Sequence, residues 1–206
     1  MRRGSYSAAV GAVLVLVLVG CSKGSDSGGT GGGGGDAPAV AFSSSQLNQA
    51  LPSRAAVPHG WMANDPVLYE SDEALKYCSN QELACGGVTS MGSSQYWADN
   101  ESNSPRLRFT LLAYDTVDNA TAGMKNLVAS QHTGKGAKVK TLTIKSGADA
   151  TDAYGTDDSS DAIMRVGTVL AYVVGADGTK PGDLQKFAKL QVDRIKATAA
   201  GKNPDA

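Results

Sequence analysis

The chain has 206 residues, 41% hydrophobic and 19% charged, with 25 glycines, 3 cysteines and a formal net charge of -1. That size excludes a large multidomain enzyme and fits one modest domain with appendages. A near-neutral chain lacks the surplus of Lys and Arg that a phosphate backbone demands, which excludes nucleic acid as a partner.

Arg2 and Arg3 precede a polar stretch and then thirteen residues, Ala8 to Gly20, without a polar side chain. This is the plan of a signal peptide. A bilayer span needs roughly 20 apolar residues, and the run stops abruptly at Cys21-Ser22-Lys23. Leu18-Val19-Gly20-Cys21 resembles the bacterial lipobox. The resemblance implies that residues 1–20 are removed and that Cys21 becomes a diacylglyceryl cysteine with palmitate-type chains. Two acyl chains, at about 0.8 kcal/mol per buried methylene, hold a protein stably on a membrane. The expected location is the extracytoplasmic face of the cell membrane, with the lipid anchor as the membrane contact.

Residues 21–39 hold eight of the 25 glycines, between Gly24 and Gly35. They read as a disordered linker, because such a composition buries no apolar area. Coil scaling gives residues 21–38 a reach of about 20–25 Å. Without Arg2 and Arg3 the chain carries 17 basic and 20 acidic side chains, a formal charge of -3, so a polybasic attraction to lipid is not supported.

Residues 40–206 are expected to form a single extracytoplasmic domain, large enough to bury around 70% of its unfolded surface. Ser44 to Leu51 reads as a short helix with a serine near its N-cap, stopped by Pro52. Val57-Pro58-His59-Gly60-Trp61 reads as a turn that delivers an aromatic, and Asp72 to Tyr77 as a brief helix. Leu107, Phe109, Leu111 and Ala113 alternate with Arg106, Arg108, Thr110, Leu112 and Tyr114, the period of a central strand with one strongly apolar face. Val117, Ala120, Met124, Leu127 and Val128 fall on one face of a helix that ends near Gly134. A basic strand follows at Lys138 to Lys145, then an acidic loop around Asp149 to Asp161. Ala162, Met164 and Val166 alternate, and Thr168 to Val174 resumes the pattern beyond Gly167, which predicts a tight hairpin or a bulged pair about Gly167. Leu184, Phe187, Ala188, Gln191, Val192 and Ile195 trace a C-terminal amphipathic helix. Together these predict an α+β fold, an antiparallel β-sheet with helices packed on a face.

Cys78 and Cys85 are the cysteines left beyond the lipobox, and an extracytoplasmic address favours a disulfide between them. Zinc would need two further ligands, and His59 and His132 lack metal-like spacing to the pair. The Cys-x-x-Cys spacing of a redox site is absent. No nucleophile elbow, phosphate loop or paired-histidine helix occurs, so no catalytic residue, metal or cofactor is assigned. His59 and His132 read as surface or capping residues. Asp149, Asp152, Asp157, Asp158 and Asp161 read as a solvated loop in preference to a calcium site. Lys135, Lys138, Lys140 and Lys145 read as protection of an exposed edge strand. Trp61, Tyr96 and Trp97 read as core or rim packing in preference to a platform that stacks on sugar rings. Whether these rings and Tyr154 line one concavity decides between those readings.

The pattern Leu47-x-x-Ala50-Leu51-Pro52, Val57-Pro58-x-Gly60-Trp61, a cysteine pair, and Met164-Arg165-Val166-Gly167-Thr168-Val169 before a terminal helix resembles a group of actinobacterial lipoproteins. These are similar to the extracellular sensor domain of receptor serine/threonine kinases of the PknH type. The resemblance covers most of residues 44–199. It implies an antiparallel sheet with flanking helices around a ligand-binding cleft. The kinase version has two disulfides where one is expected here, and this chain has no kinase segment, so no binding residue is carried over. The expected function is a non-catalytic ligand-binding or sensor-like module for a small molecule, lipid or glycan. The alternatives are a protein-interaction component of an envelope assembly and an envelope hydrolase.

Overall fold

The computed structural model describes residues 41–80, 85–98, 104–135, 139–176 and 178–206, without the side chains of Asn80 and Lys135. The expected signal segment, Cys21, the linker and Lys138 lie outside the described residues.

Helix α1 (Ser44–Ala50) starts at a reciprocal cap. The Ser43 hydroxyl accepts from the Gln46 N–H, and the Gln46 side chain accepts from the Ser43 N–H, which satisfies two donors that a helix start otherwise leaves unpaired. Leu51 is extended, as the residue before a proline prefers. There follow β1 (Met62–Ala63), β2 (Val67–Glu70), α2 (Ser71–Asn80), β3 (Val88–Trp97), β4 (Arg106–Tyr114), α3 (Val117–Lys135), β5 (Lys140–Thr141), β6 (Ala150–Gly155), β7 (Ser159–Val166), β8 (Val169–Ala176) and α4 (Pro181–Ala199).

The strands form one eight-stranded antiparallel sheet in the order β1-β3-β4-β8-β7-β6-β5, with β2 also paired to β3. The predicted hairpin is β7–β8. Val166 pairs with Val169 across Gly167-Thr168, and Gly167 is in the left-handed region at φ 57°. A positive φ at the first of two turn residues alone is a type II′ turn, which suits the twist of paired strands and favours glycine there.

The α+β prediction is met, with the helices divided between the two faces of the sheet. Strict alternation along β4 explains the division. Leu107, Phe109, Leu111 and Ala113 point into a core closed by α1 and α4, which contribute Leu47, Ala50, Leu184, Phe187, Ala188, Val192 and Ile195. Leu112 and Tyr114 point the other way, into a second core closed by Ala74 and Cys78 of α2 and Ala120 and Leu127 of α3. Tyr114 lies so close to α3 that a Cβ at Gly123 would collide with its hydroxyl.

Two expectations are corrected. Residues 149–161 are not a solvated acidic loop but the hairpin β6–β7. Its tip is closed by Thr156, whose hydroxyl accepts from the N–H groups of Asp158 and Ser159. Burial of Ala153 and Tyr154 outweighs the weak local pattern. Of the basic segment, Lys140–Thr141 pairs with the outer edge of β6 and the Leu142 N–H donates to the Ala153 carbonyl at 2.8 Å; Lys140 and Lys145 are exposed.

Candidate ligand-binding site

The register of the central strands lays three rows across the face that carries α2 and α3. Met91, Leu112 and Leu170 form the first row, Ser93, Thr110 and Tyr172 the second, and Gln95, Arg108 and Val174 the third. The first row is apolar and buried under the helices. The other rows turn polar where the helices leave the sheet. A cavity of about 140 Å³ opens there, lined by Tyr77 of α2, Met91, Ser93, Arg108, Thr110, Tyr172 and Val174 of the sheet and Gln131 of α3.

One wall is aromatic. Tyr77 stacks on Tyr69 with centroids 4.6 Å apart and planes 19° from parallel. The residue after Tyr77 is Cys78, which is joined to Cys85 with 5.8 Å between Cα atoms. The disulfide therefore fastens α2 close to the start of β3.

The opposite wall rests on a hydrogen-bonded network. The Tyr172 hydroxyl lies 3.1 Å from Asp161 Oδ2 and 3.0 Å from Gln131 Oε1. The Tyr154 hydroxyl lies 3.2 Å from that of Tyr172 and 3.4 Å from Gln131 Oε1. Tyr172 has one proton for two acceptors, and a carboxylate is the stronger acceptor. Burial raises the affinity of both phenols for their protons, and the nearby Asp161 charge adds to it. Both stay neutral donors through the ordinary pH range. His132, next to Gln131 in α3, binds Asp152 Oδ1 of β6 at 2.9 Å and meets the Tyr154 ring edge-on at 4.9 Å. This contact ties the last turns of α3 to the sheet and so positions Gln131.

Arg108 stands exposed on the cavity floor. It makes no hydrogen bond or ion pair among the described residues, although its charge acts on Tyr172. Asp161 is two strands away across Val174, roughly 9–10 Å at the usual strand spacing, and it is already engaged by Tyr172.

The residues singled out in the sequence are not gathered at this site. Trp61 and Trp97 line a separate, shallow hollow of about 460 Å³ with Arg54, Val57 and Asn64, and Trp61 packs edge-on against Phe187. Tyr96 is buried in the α1/α4 core and donates to the Ser53 carbonyl at 3.0 Å. Tyr154 is buried on the opposite face. The four rings therefore line no common concavity. His59 is exposed in its turn. His132 lies within α3 and is not a cap beyond its end. Its hydrogen-bond partner among the described residues is a carboxylate, with no serine hydroxyl to complete a nucleophilic triad. The acidic residues also separate. Asp149 accepts from Arg165 and the Gly167 N–H, Asp152 binds His132, and Asp161 is buried beneath the cavity wall. Among the described residues no three His, Cys, Asp or Glu side chains gather as a metal centre.

Arg108, Thr110, Gln131 and Tyr172 were not singled out from the sequence. One signal was present: the even positions of β4 run Arg106, Arg108, Thr110, Leu112, Tyr114, from charged to apolar. That gradient marks where the covering helices end.

This fold has a solved counterpart. The chain is similar to the crystal structure of the extracellular domain of PknH from Mycobacterium tuberculosis, with a TM-score of 0.53 over 77% of this chain and 98% of that one. The sequences are 14% identical, so the likeness is one of fold. No protein-family profile and no curated protein matches the chain.

Proposed function

We propose that the chain is a lipid-anchored extracytoplasmic protein whose folded domain is a non-catalytic, ligand-binding or sensor-like module, with the cavity between α2 and α3 as its binding site. The observation that carries this reading is a partly open hollow on the sheet face whose polar lining includes Arg108, an arginine with no hydrogen-bond or ion-pair partner among the described residues. Pockets that serve small molecules combine apolar walls with a few convergent polar groups, and Met91, Tyr77 and Val174 supply the former. The extracytoplasmic address draws support from the lipobox resemblance and from the likeness to an extracellular domain.

Two experiments test the reading. Cys21→Ala, or globomycin treatment of cells making the native chain, is expected to stop processing and release the protein from the membrane fraction; unchanged processing and attachment would remove the anchor. A small-molecule screen by thermal shift is expected to return compounds that stabilise the native domain but not a Thr110→Trp variant, whose indole fills the cavity. Hits that stabilise both proteins equally would place binding elsewhere.

A second reading, a protein-interaction component, draws on the exposure of Val67, Leu75 and Tyr77 at 51%, 39% and 37%. These residues lie on β2 and α2. Crosslinking that depends on Leu75 and persists in the Thr110→Trp variant would favour it.

A further inference from the structure

We infer that the cavity selects a small organic anion, a carboxylate or phosphate ester carried on a ring, with Arg108 as the residue that binds the charged group. This rests on reading the cavity as the binding site and adds the chemistry of what enters it.

Among the described residues the lining is rich in donors and holds no carboxylate. Arg108 presents a guanidinium with five N–H donors in a planar fork that matches two oxygens of a carboxylate or phosphate. Ser93 and Thr110 add hydroxyls from the adjacent row. Both tyrosine hydroxyls lie against Gln131 Oε1, and with the amide set so, its NH₂ has no partner among the described residues. The nearest carboxylate of the network, Asp161, is turned to Tyr172 and lies behind that residue rather than in the lining. A neutral or cationic ligand would leave the guanidinium facing no described group of opposite sign. An anion completes it.

Volume and wall chemistry define the remainder of the ligand. Engineered apolar cavities of roughly 150 Å³ accept benzene, so about 140 Å³ admits one ring with its acid group towards Arg108. Tyr77, already held in a stack by Tyr69, offers its ring to the body of the ligand. Met91 and Val174 complete an apolar contact on the sheet side. A polyanion or a long acyl chain exceeds this space.

The test uses the full-length protein in detergent, labelled with ¹⁵N and titrated with benzoate, phenyl phosphate and the neutral isostere benzamide. The readouts are the Arg108 Nε–H and Gln131 side-chain amide signals. Benzoate or phenyl phosphate is expected to shift both, with at least tenfold tighter binding than benzamide; the tighter of the two identifies carboxylate or phosphate as the preferred head group. Arg108→Gln is expected to abolish that preference while benzamide binding stays within twofold. Because Arg108 is exposed and bonded to no described residue, this variant should keep the wild-type spectrum elsewhere. Benzamide binding as tightly as benzoate at the cavity, or an Arg108→Gln variant that still prefers the anions, would overturn anion selection and leave the cavity as a binding site. Failure of all three probes to move either signal at millimolar concentration would overturn both.

Discussion

Arg194 is the side chain whose removal should cost this domain most for its size. It lies on α4 with 3% of its side chain exposed, and its guanidinium is shared between two segments. Towards α1, Nε donates to the Ala50 carbonyl at 3.3 Å, and Nη2 donates to the Gln49 and Leu51 carbonyls at 2.9 and 2.8 Å. Towards the C-terminal tail, both terminal nitrogens meet the Asp205 carboxylate. A helix end leaves carbonyls without intrahelical donors and carries partial negative charge, and here the buried cation supplies both needs. Arg194→Met keeps the stem but strands the Gln49 and Leu51 carbonyls, leaves Ala50 to Gln191 alone, and takes from Asp205 its cationic partner, with only the Ser53 hydroxyl remaining among the described residues. Breaking a buried pair costs about 3–5 kcal/mol, a large part of a typical stability of roughly 5–15 kcal/mol. Asp205→Asn leaves the carbonyl contacts intact and keeps a hydrogen-bonding oxygen, so its expected cost is about 1 kcal/mol. The double variant should be little worse than Arg194→Met alone. Urea unfolding at constant m measures all three. If Asp205→Asn costs as much as Arg194→Met, the arginine acts through the ion pair, and the argument from helix capping is wrong. The pH dependence provides a second check. Hydrogen bonding from Arg194 holds the Asp205 carboxyl below its ordinary value. Its contribution is therefore present above the unfolded carboxyl range and disappears as pH falls through the lower folded value. Arg194→Met should flatten that part of the profile.

Four further outcomes follow from the packing. Gly123→Ala gains about 1 kcal/mol in helix propensity but meets the Tyr114 hydroxyl and should lose about 1–3 kcal/mol to overpacking; a cost that does not shrink in a Tyr114→Phe background refutes the contact. Replacing Cys78 and Cys85 by serine removes a short loop closure worth about 2–3 kcal/mol and should accelerate hydrogen exchange at Tyr77; unchanged exchange there would show that α2 is held by packing alone. His132→Leu should lose about 1 kcal/mol and increase exchange in the last turns of α3, and unaltered protection at Gln131 would contradict its positioning by the Asp152 contact. Burial pushes the Tyr114 phenol up to about 12, and it raises Tyr96, Tyr154 and Tyr172 as well. An unfolded tyrosine ionises near 10, so stability is full below that pH and falls as pH rises towards the folded values. Ultraviolet titration should show phenolate appearing together with unfolding, and a separate phenolate step in the folded protein would contradict the burial argument.

The elements that were legible in the sequence are those whose pattern is enforced over many residues. Arg106 to Tyr114 alternates for nine residues, α4 keeps one apolar face for five turns, and Gly167 marks its turn through a backbone requirement. Residues 150–155 were not legible, because Ala-Thr-Asp-Ala-Tyr-Gly becomes a strand through its neighbour β7 and the burial of Tyr154. The candidate site was legible least. Its residues come from α2, β3, β4, α3 and β8, and each is unremarkable in its own segment. Aromatic residues drew attention in the sequence, yet Tyr96 serves the core, and Trp61 and Trp97 lie at a different hollow. The polar end of β4 was the better guide, since a central strand has no reason to carry Arg108 on a face meant to be covered.

The latch between α1 and α4 has a particular tolerance. Gln191 Nε2 and Arg194 hold α1 entirely through main-chain oxygens, those of Gln49, Ala50 and Leu51. Every residue type at those three positions presents the same carbonyl, so side-chain replacement in α1 leaves the grip in place, whereas either replacement in α4 removes part of it. For the hydrogen bonds alone, side-chain change is admitted on one side and refused on the other; in α1 the limit is set by packing instead, since Leu47, Ala50 and Leu51 are buried in the core. A load arriving along the chain ahead of Ser44 would be carried in part by main-chain atoms that substitution cannot change.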